Sequence, residues 1–542
     1  MSIWTDGYVL VNGLMAPYLR KFGCYTVPDF IGTRYGGNLA RFIAVVVLVV
    51  ASFTYVTAQI NATGTIAARA LGIPFQYGVW FGLLGILLCS MLGGMRAVTW
   101  TQVAQYIVLI IAYLAPVIWM SNKQGFGIIP HFSYGEAVLK IAELETQLGV
   151  GTAPAEGFAA TITSGKVLTG LHDAPGGAMA AWKFMTLALS MMVGTASLPH
   201  ILMRYFTTPS VRAARKSVAW SLLFIFLLYF TAPVLATLTK LQLLDPSLPT
   251  AIFGKAFADI ANLEWIKNWS DVGFLAIADG NGDGILQVNE LVMREDIVVL
   301  ATPEIAGLPY VISGLVAAGG MAAAMSTADG LLLAIANALS HDVYYKMIDP
   351  NAPTVRRLTV ARVLLFVVAV IAAYLASTKP GDILAMVGWA FSLAMAGNFP
   401  ALIMGVWWKR TTAAGAVAGM LAGFGLCLFY LVVSRYFPGF GVKYAGMTSL
   451  LNPVTGAPLV DIAKAMALPN AMDALPTLAH PLANKVGWFN LNNIACGLLG
   501  MPVGFAVIYV VSLMTPEPSK EMQAYVDEIR KPRGRTIIEE KT

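Results

Sequence analysis

Apolar and polar positions alternate along this chain in long blocks, not with the short periods of a soluble fold. A helix that crosses a membrane needs about 20 mostly apolar residues. Blocks of that order occur at 40–59, 75–92, 103–120, 181–206, 218–238, 308–339, 360–377, 383–408, 413–433 and 494–514. A shorter one at 7–19 closes on Arg20 and Lys21. We read these eleven blocks as membrane helices, an odd number that places the two termini on opposite sides. Between them, 23–35 and 341–357 carry the Pro and Asn breaks of short connections. Three connections are long: 121–179, 239–307 and 434–493.

Composition strengthens this picture. Of 542 residues, 57% are hydrophobic and 12% charged, about half the charge share of a soluble protein, and the mean hydropathy is +0.70. A soluble enzyme and a nucleic-acid binder are both excluded; the expected class is an all-α polytopic membrane protein, not an enzyme, in a lipid bilayer. The net charge of +6 therefore reads as orientation. Of 35 lysines and arginines, 21 fall on one side, in short loops and the end of the chain. That side is expected to be cytoplasmic, with the N-terminus and the long loops outside, in an inner or plasma membrane. Residues 1–514 form the expected membrane domain and 515–542 a polar cytoplasmic tail. Asp6 stands where a secretory signal carries basic residues, and no cleavage site follows. Cys24, Cys89, Cys427 and Cys496 are too far apart in sequence to suggest a disulfide framework or metal site.

The sharpest local motif lies in the second long loop. Asp279, Asn281, Asp283, the Ile285 carbonyl, Gln287 and Glu290, with Gly284 for the turn, fit the twelve-residue calcium loop of an EF-hand. The stretches 265–277 and 290–300 are the expected flanking helices. A loop rich in Asx turns without metal gives a similar pattern. In an outer loop, calcium binding at about 10⁻⁴–10⁻³ M suits a structural clip.

Two constellations lie inside apolar blocks. On a helix, the Ala323 carbonyl and the Ser326 and Thr327 hydroxyls fall within one turn, a partial site for sodium. Small residues and hydroxyls at a close helix contact are the competing reading. Asp329 follows, and an acid in a spanning helix is costly enough to suggest a function. No lysine or arginine is expected in the middle of another span to neutralise it, which leaves a cation or a proton. In the second constellation, Gly194 and Pro199 weaken the helix around Thr195 and Ser197, as in the interrupted helices that form substrate sites. A proline kink filled by hydroxyls reads the same way, and His200 and Arg204 fit an inner interface.

Together these residues resemble the sodium:solute symporter family, in the branch that includes the cation/acetate symporters. The matching stretches are YTVPDF from Tyr25, GGMRAVTWTQ ending at Gln102, GTASLPHILMR from Gly194 to Arg204, Met325 to Thr327, and SHDVY from Ser340. The resemblance implies the LeuT-type fold of five plus five inverted-repeat core helices, with sodium and solute near the midplane. It implies sodium-coupled import of a small organic solute, here a short monocarboxylate such as acetate. The family's sodium site carries over to Ala323, Ser326 and Thr327, and the substrate site to Gly194, Thr195, Ser197 and Pro199. Relatives with two sodium ions place an acid at the position of Gln102 and a small hydroxyl residue at that of Asp329. Asp329, Ser326 and Gln102 are accordingly expected to form a second cation or proton site. Aligned through YTVPDF, block 7–19 corresponds to core helix two, so core helix one and the family's leading helix have no counterpart; an upstream start is expected. A membrane sensor of the same fold and a non-transporting truncated homologue are the alternatives.

Overall fold

The computed structural model describes residues 3–148, 178–280, 282–450, 458 and 486–532. The chain opens with α1 (Ile3–Leu10), a π-helical turn at Val11–Met15, α2 (Ala16–Phe22) and α3 (Val27–Tyr35). Pro17 starts α2, and Gly23 at φ +87° ends it. Three long helices follow: α4 (Asn38–Leu71), α5 (Phe75–Met91) and α6 (Val98–Lys123). Gly94, at φ +58°, makes the turn between α5 and α6 that a side-chain-bearing residue would strain. The first long connection contains α7 (Tyr134–Gln147); the rest of it, 149–177, lies outside the described residues. Then come α8 (Ala178–Ser197), α9 (Pro199–Phe206) and α10 (Val211–Leu244).

The second long connection is folded. It holds α11 (Phe257–Ala261), α12 (Glu264–Asp271), β1 (Leu275–Ile277), β2 (Leu291–Met293) and α13 (Val298–Ile305). This corrects one expectation. The stretches flanking Asp279 to Glu290 are helical only away from the loop, up to Asp271 and from Val298: next to it β1 and β2 form an antiparallel hairpin, with Leu275 opposite Met293. The reason is packing, because Phe274, Leu275, Leu291 and Met293 are buried in one core with Trp269.

The bundle closes with α14 (Tyr310–Asn337), continued by π-helical turns over Ala338–Ile348, then α15 (Thr354–Ser377), α16 (Ile383–Trp407), α17 (Ala413–Tyr436), α18 (Pro438–Tyr444), α19 (Gly497–Met514) and α20 (Lys520–Ile529). Among the described residues nine helices are long and apolar enough to cross a membrane, and α5 is a shorter one. With the run α1 to α2 they match the eleven sequence blocks one for one. Helix α16 is the interior one: 83% of its apolar window is buried, against 22–61% for the other eight.

The second long connection sits over the short turns that follow α4 and α15, where Arg69 meets Glu304 and Arg294 meets Asp382; the connections after α2 and α14 meet at another end of the bundle. There, Thr26 caps α3 by accepting from Asp29 N at 3.0 Å and donates to Asp342 Oδ2 at 2.7 Å. Arg41 reaches Asp29 at 3.2 Å and Asp342 at 3.8 Å. The tail is less loose than its composition suggests. Val526 and Ile529 of α20 are buried, and Arg530 donates to the carbonyls of Val406 and Trp407 at 3.0 and 2.5 Å.

Candidate functional site

The helix expected to be weak is broken. Helix α8 ends at Ser197, Leu198 is extended (φ −70°, ψ 122°), and α9 restarts at Pro199. Pro199 has no N–H to continue the ladder. Gly194 lets the backbone press on Phe391, since a Cβ there would lie 2.5 Å from the Phe391 Cβ. The Thr195 and Ser197 hydroxyls donate back to Met191 O and Val193 O at 2.7 and 2.6 Å. These four residues are buried, and they shape the break more than they line open space. Beyond it, His200 and Arg204 are half-buried on α9, and the ring of His200 meets Tyr55 of α4 at 5.7 Å.

Opposite lies α14. Ser326 Oγ and Thr327 Oγ1 donate to Ala323 O at 2.9 and 3.2 Å, which leaves the hydroxyl lone pairs free to turn to a cation. One turn on, Asp329 is fully buried. Ser90 of α5 donates to its Oδ1 at 2.5 Å, and its Oδ2 has no hydrogen-bond partner. Gln102 of α6 donates to the Ser326 carbonyl at 2.6 Å. Asp329, Ser326 and Gln102 are thus brought to one junction of three helices, with Gln102 reaching the backbone of Ser326.

A basic residue approaches this acid's helix: a Cβ on Gly330, next to Asp329, would lie 3.4 Å from Arg204 Nη2. The sequence did not pair these two residues, because α9 is a separate helix restarted at Pro199. Sequence reasoning also missed Ser90, and the chain Ser190, Ser392 and Ile494 O (3.0 and 2.7 Å) that joins α8, α16 and the start of α19. Nothing distinguishes these serines from others in apolar runs.

The calcium pattern is met in part. Asp279 accepts from Gly282 N and Gly284 N at 2.7 and 3.0 Å, with Gly284 at φ +72°, the sharp turn the pattern needs. Glu290, the expected bidentate ligand, instead accepts from Gly280 N and Gln287 N at 2.9 and 3.0 Å. Gln287 donates to Asp283 Oδ2 at 2.8 Å, and Ile285 bridges to Ala256. Asn281 lies outside the described residues. Among those described, the loop's acids are not gathered within ligand distance of one another.

A helical bundle with one apolar helix broken midway, facing a second that carries clustered hydroxyls and a half-partnered carboxylate, is the arrangement expected of an ion-coupled secondary transporter. The chain belongs to the sodium:solute symporter family, whose profile matches residues 3–254 and 289–423. An uncharacterised symporter of Cupriavidus necator is 40% identical, over 97% of this chain and 83% of that protein. The monocarboxylic acid transporter of Corynebacterium glutamicum is 25% identical, over 78% of this chain and 68% of that one. Among solved structures, the substrate-bound, outward-open state of a sodium-coupled sialic acid symporter matches with a TM-score of 0.56 at 15% identity, over 96% of this chain and 84% of that one. The fold is of the LeuT type, and the activity is sodium-coupled symport of a solute across a membrane.

Proposed function

We propose that the solute is a short monocarboxylate such as acetate, carried inward across an inner or plasma membrane. In this reading the long connections face outside, and residues 515–542 are a cytoplasmic tail on a transporter domain of residues 1–514. Sodium binds at the Ala323 carbonyl with the Ser326 and Thr327 hydroxyls, and a second cation or a proton binds at Asp329 with Ser326 and Gln102. The solute sits at the break shaped by Gly194, Thr195, Ser197 and Pro199. The observation that carries the reading is Asp329, a buried acid with one oxygen unpartnered and the sodium-type hydroxyls a turn away. The Corynebacterium glutamicum relative supports the choice of solute. Sodium affinity and solute affinity then rise together, because linkage between two sites is reciprocal. Proteoliposomes given an inward sodium gradient should accumulate labelled acetate, and a choline gradient should not drive it. Sodium-driven uptake of other solutes alone, with acetate and its short homologues excluded, would refute the assignment.

The loop from Asp279 to Glu290 is read as a weak structural calcium clip at the outer face. Support comes from its residue pattern and the Asp279–Gly284 turn; binding requires Glu290 to leave its two amides. At roughly thirty-fold excess over the dissociation constant, calcium should stabilise the full protein by about 2 kcal/mol, and Glu290→Gln should remove the effect. An unchanged Tm for the wild type in calcium and in chelator would eliminate the clip.

A further inference from the structure

His200 and Arg204 lie one turn apart on α9 and turn the same side toward α14, where Gly330 leaves room for them. A Cβ on Gly330 would stand 3.4 Å from Arg204 Nη2 and 3.8 Å from His200 Cδ2. Gly330 directly follows Asp329. Two polar atoms around this point, Asp329 Oδ2 and His200 Nδ1, are buried without a hydrogen bond. Arg204 reaches the residue next to Asp329, yet among the described residues no carboxylate comes within 4 Å of its guanidinium.

Opposite charges side by side in a low-dielectric interior attract strongly. A closed ion pair would be the cheapest arrangement if nothing else had to fit between them. An open pair is instead matched by a ligand that brings both signs: a cation for the carboxylate oxygen and a carboxylate for the guanidinium fork, whose planar geometry suits two parallel hydrogen bonds. We propose that Arg204, assisted by His200, binds the carboxylate of the transported solute, while Asp329 holds a coupling cation beside it, so that ion and solute occupy the gap as neighbours. Coupling follows from electrostatics. A cation at Asp329 withdraws the anion that competes for Arg204, and a carboxylate at Arg204 withdraws the cation that competes for Asp329. Each ligand therefore raises the affinity for the other. A neutral solute of the same shape leaves the guanidinium desolvated and unmatched, so the site selects anions.

This inference rests on the monocarboxylate reading above and is tested apart from it. Acetate uptake is measured in proteoliposomes as a function of acetate and of sodium for the wild type, Arg204→Gln, Arg204→Lys and Asp329→Asn. Sodium binding is followed separately as sodium-dependent protection of Tm in detergent. Arg204→Gln should raise the acetate KM at least about 30-fold, the range for removing one partner of a buried charge pair, while sodium still protects the fold. Arg204→Lys, with charge but no fork, should raise KM by less, and it replaces Arg204→Gln if that variant aggregates. Asp329→Asn should weaken sodium protection and flatten the dependence of acetate KM on sodium. Sodium-coupled acetate uptake by the wild type, with KM within about three-fold of it in both Arg204 variants, overturns the inference and leaves the functional reading intact. A wild type that moves no short carboxylate with sodium overturns both.

Discussion

Asp329 stood out in the sequence because an acid inside an apolar block has few structural uses, whereas Ser90, which holds it, was invisible among ordinary small residues. Their contact at 2.5 Å joins α5 to α14, and it is the hydrogen bond that fixes which way the carboxylate faces. Ser90→Ala leaves a buried acid with neither oxygen partnered by a side chain. The expected cost is about 1–3 kcal/mol, seen as a lower Tm; if Asp329 holds a cation as proposed, sodium half-saturation should also rise several-fold, because the carboxylate is no longer aimed. Ser90→Thr keeps the hydroxyl and should stay close to the wild type in both measurements. Equal loss in the Ala and Thr variants would mean that the pocket's size matters there and the hydrogen bond does not. Arg204 shows the opposite case: its identity was plain, but its place beside Gly330 of α14 was hidden, because α9 restarts as a separate helix after the break.

At the scale of elements, the sequence located the helices well and their ends poorly. Helix α4 runs for 34 residues, well beyond its apolar window 40–59, because residues 63–68 are buried against protein and Arg69 finds a carboxylate in Glu304. Hydropathy registers where a helix meets lipid and is silent about protein partners beyond it. The hairpin β1–β2 was missed for a related reason: a twelve-residue loop pattern specifies ligands, while the flanking elements follow the core they pack into. Contacts between helices were also hidden. Gly423 of α17 and Gly500 of α19 meet so closely that a Cβ on Gly423 would lie 2.4 Å from Ala396 O and 2.8 Å from Gly500 O, and one on Gly500 would lie 2.3 Å from Gly423 O. Backbone cannot yield as a side chain can, so the helices must separate. Gly423→Leu should cost about 1–3 kcal/mol by overpacking and should lower Tm in detergent. Sodium half-saturation should be unchanged in whatever fraction folds, because these two helices lie away from Asp329. A shift in sodium affinity at unchanged Tm would show that α17 and α19 belong to the coupling machinery.

For the whole molecule, the folded connections over α4 and α5 form a cap that shares an apolar core with the bundle and is further pinned by ion pairs. Glu145 of α7 meets Lys240 of α10, Lys140 meets Asp245 at the end of α10, Glu304 of α13 meets Arg69 of α4, and Arg294 meets Asp296 and Asp382. Such ion pairs should make the cap respond to pH. Asp245 gives the sign. Burial pushes its carboxyl up, but hydrogen bonds from Lys140 and Ser247, with the Lys140 charge, outweigh burial and hold it below its usual value. A group whose folded-state value is depressed contributes stability that is fully present above its unfolded value, about 3.9, and is lost as pH falls through the folded value below that. The Tm difference between wild type and Asp245→Asn should therefore be constant from about pH 7 to pH 5 and shrink as pH drops below about 4. Because Lys140 is partly exposed, the difference should also narrow in high salt. A gap that widened on acidification would mean that burial dominates at Asp245, and that α7 is held to the bundle by its apolar face, where Ala137, Ile141 and Leu144 are buried, with little help from this ion pair.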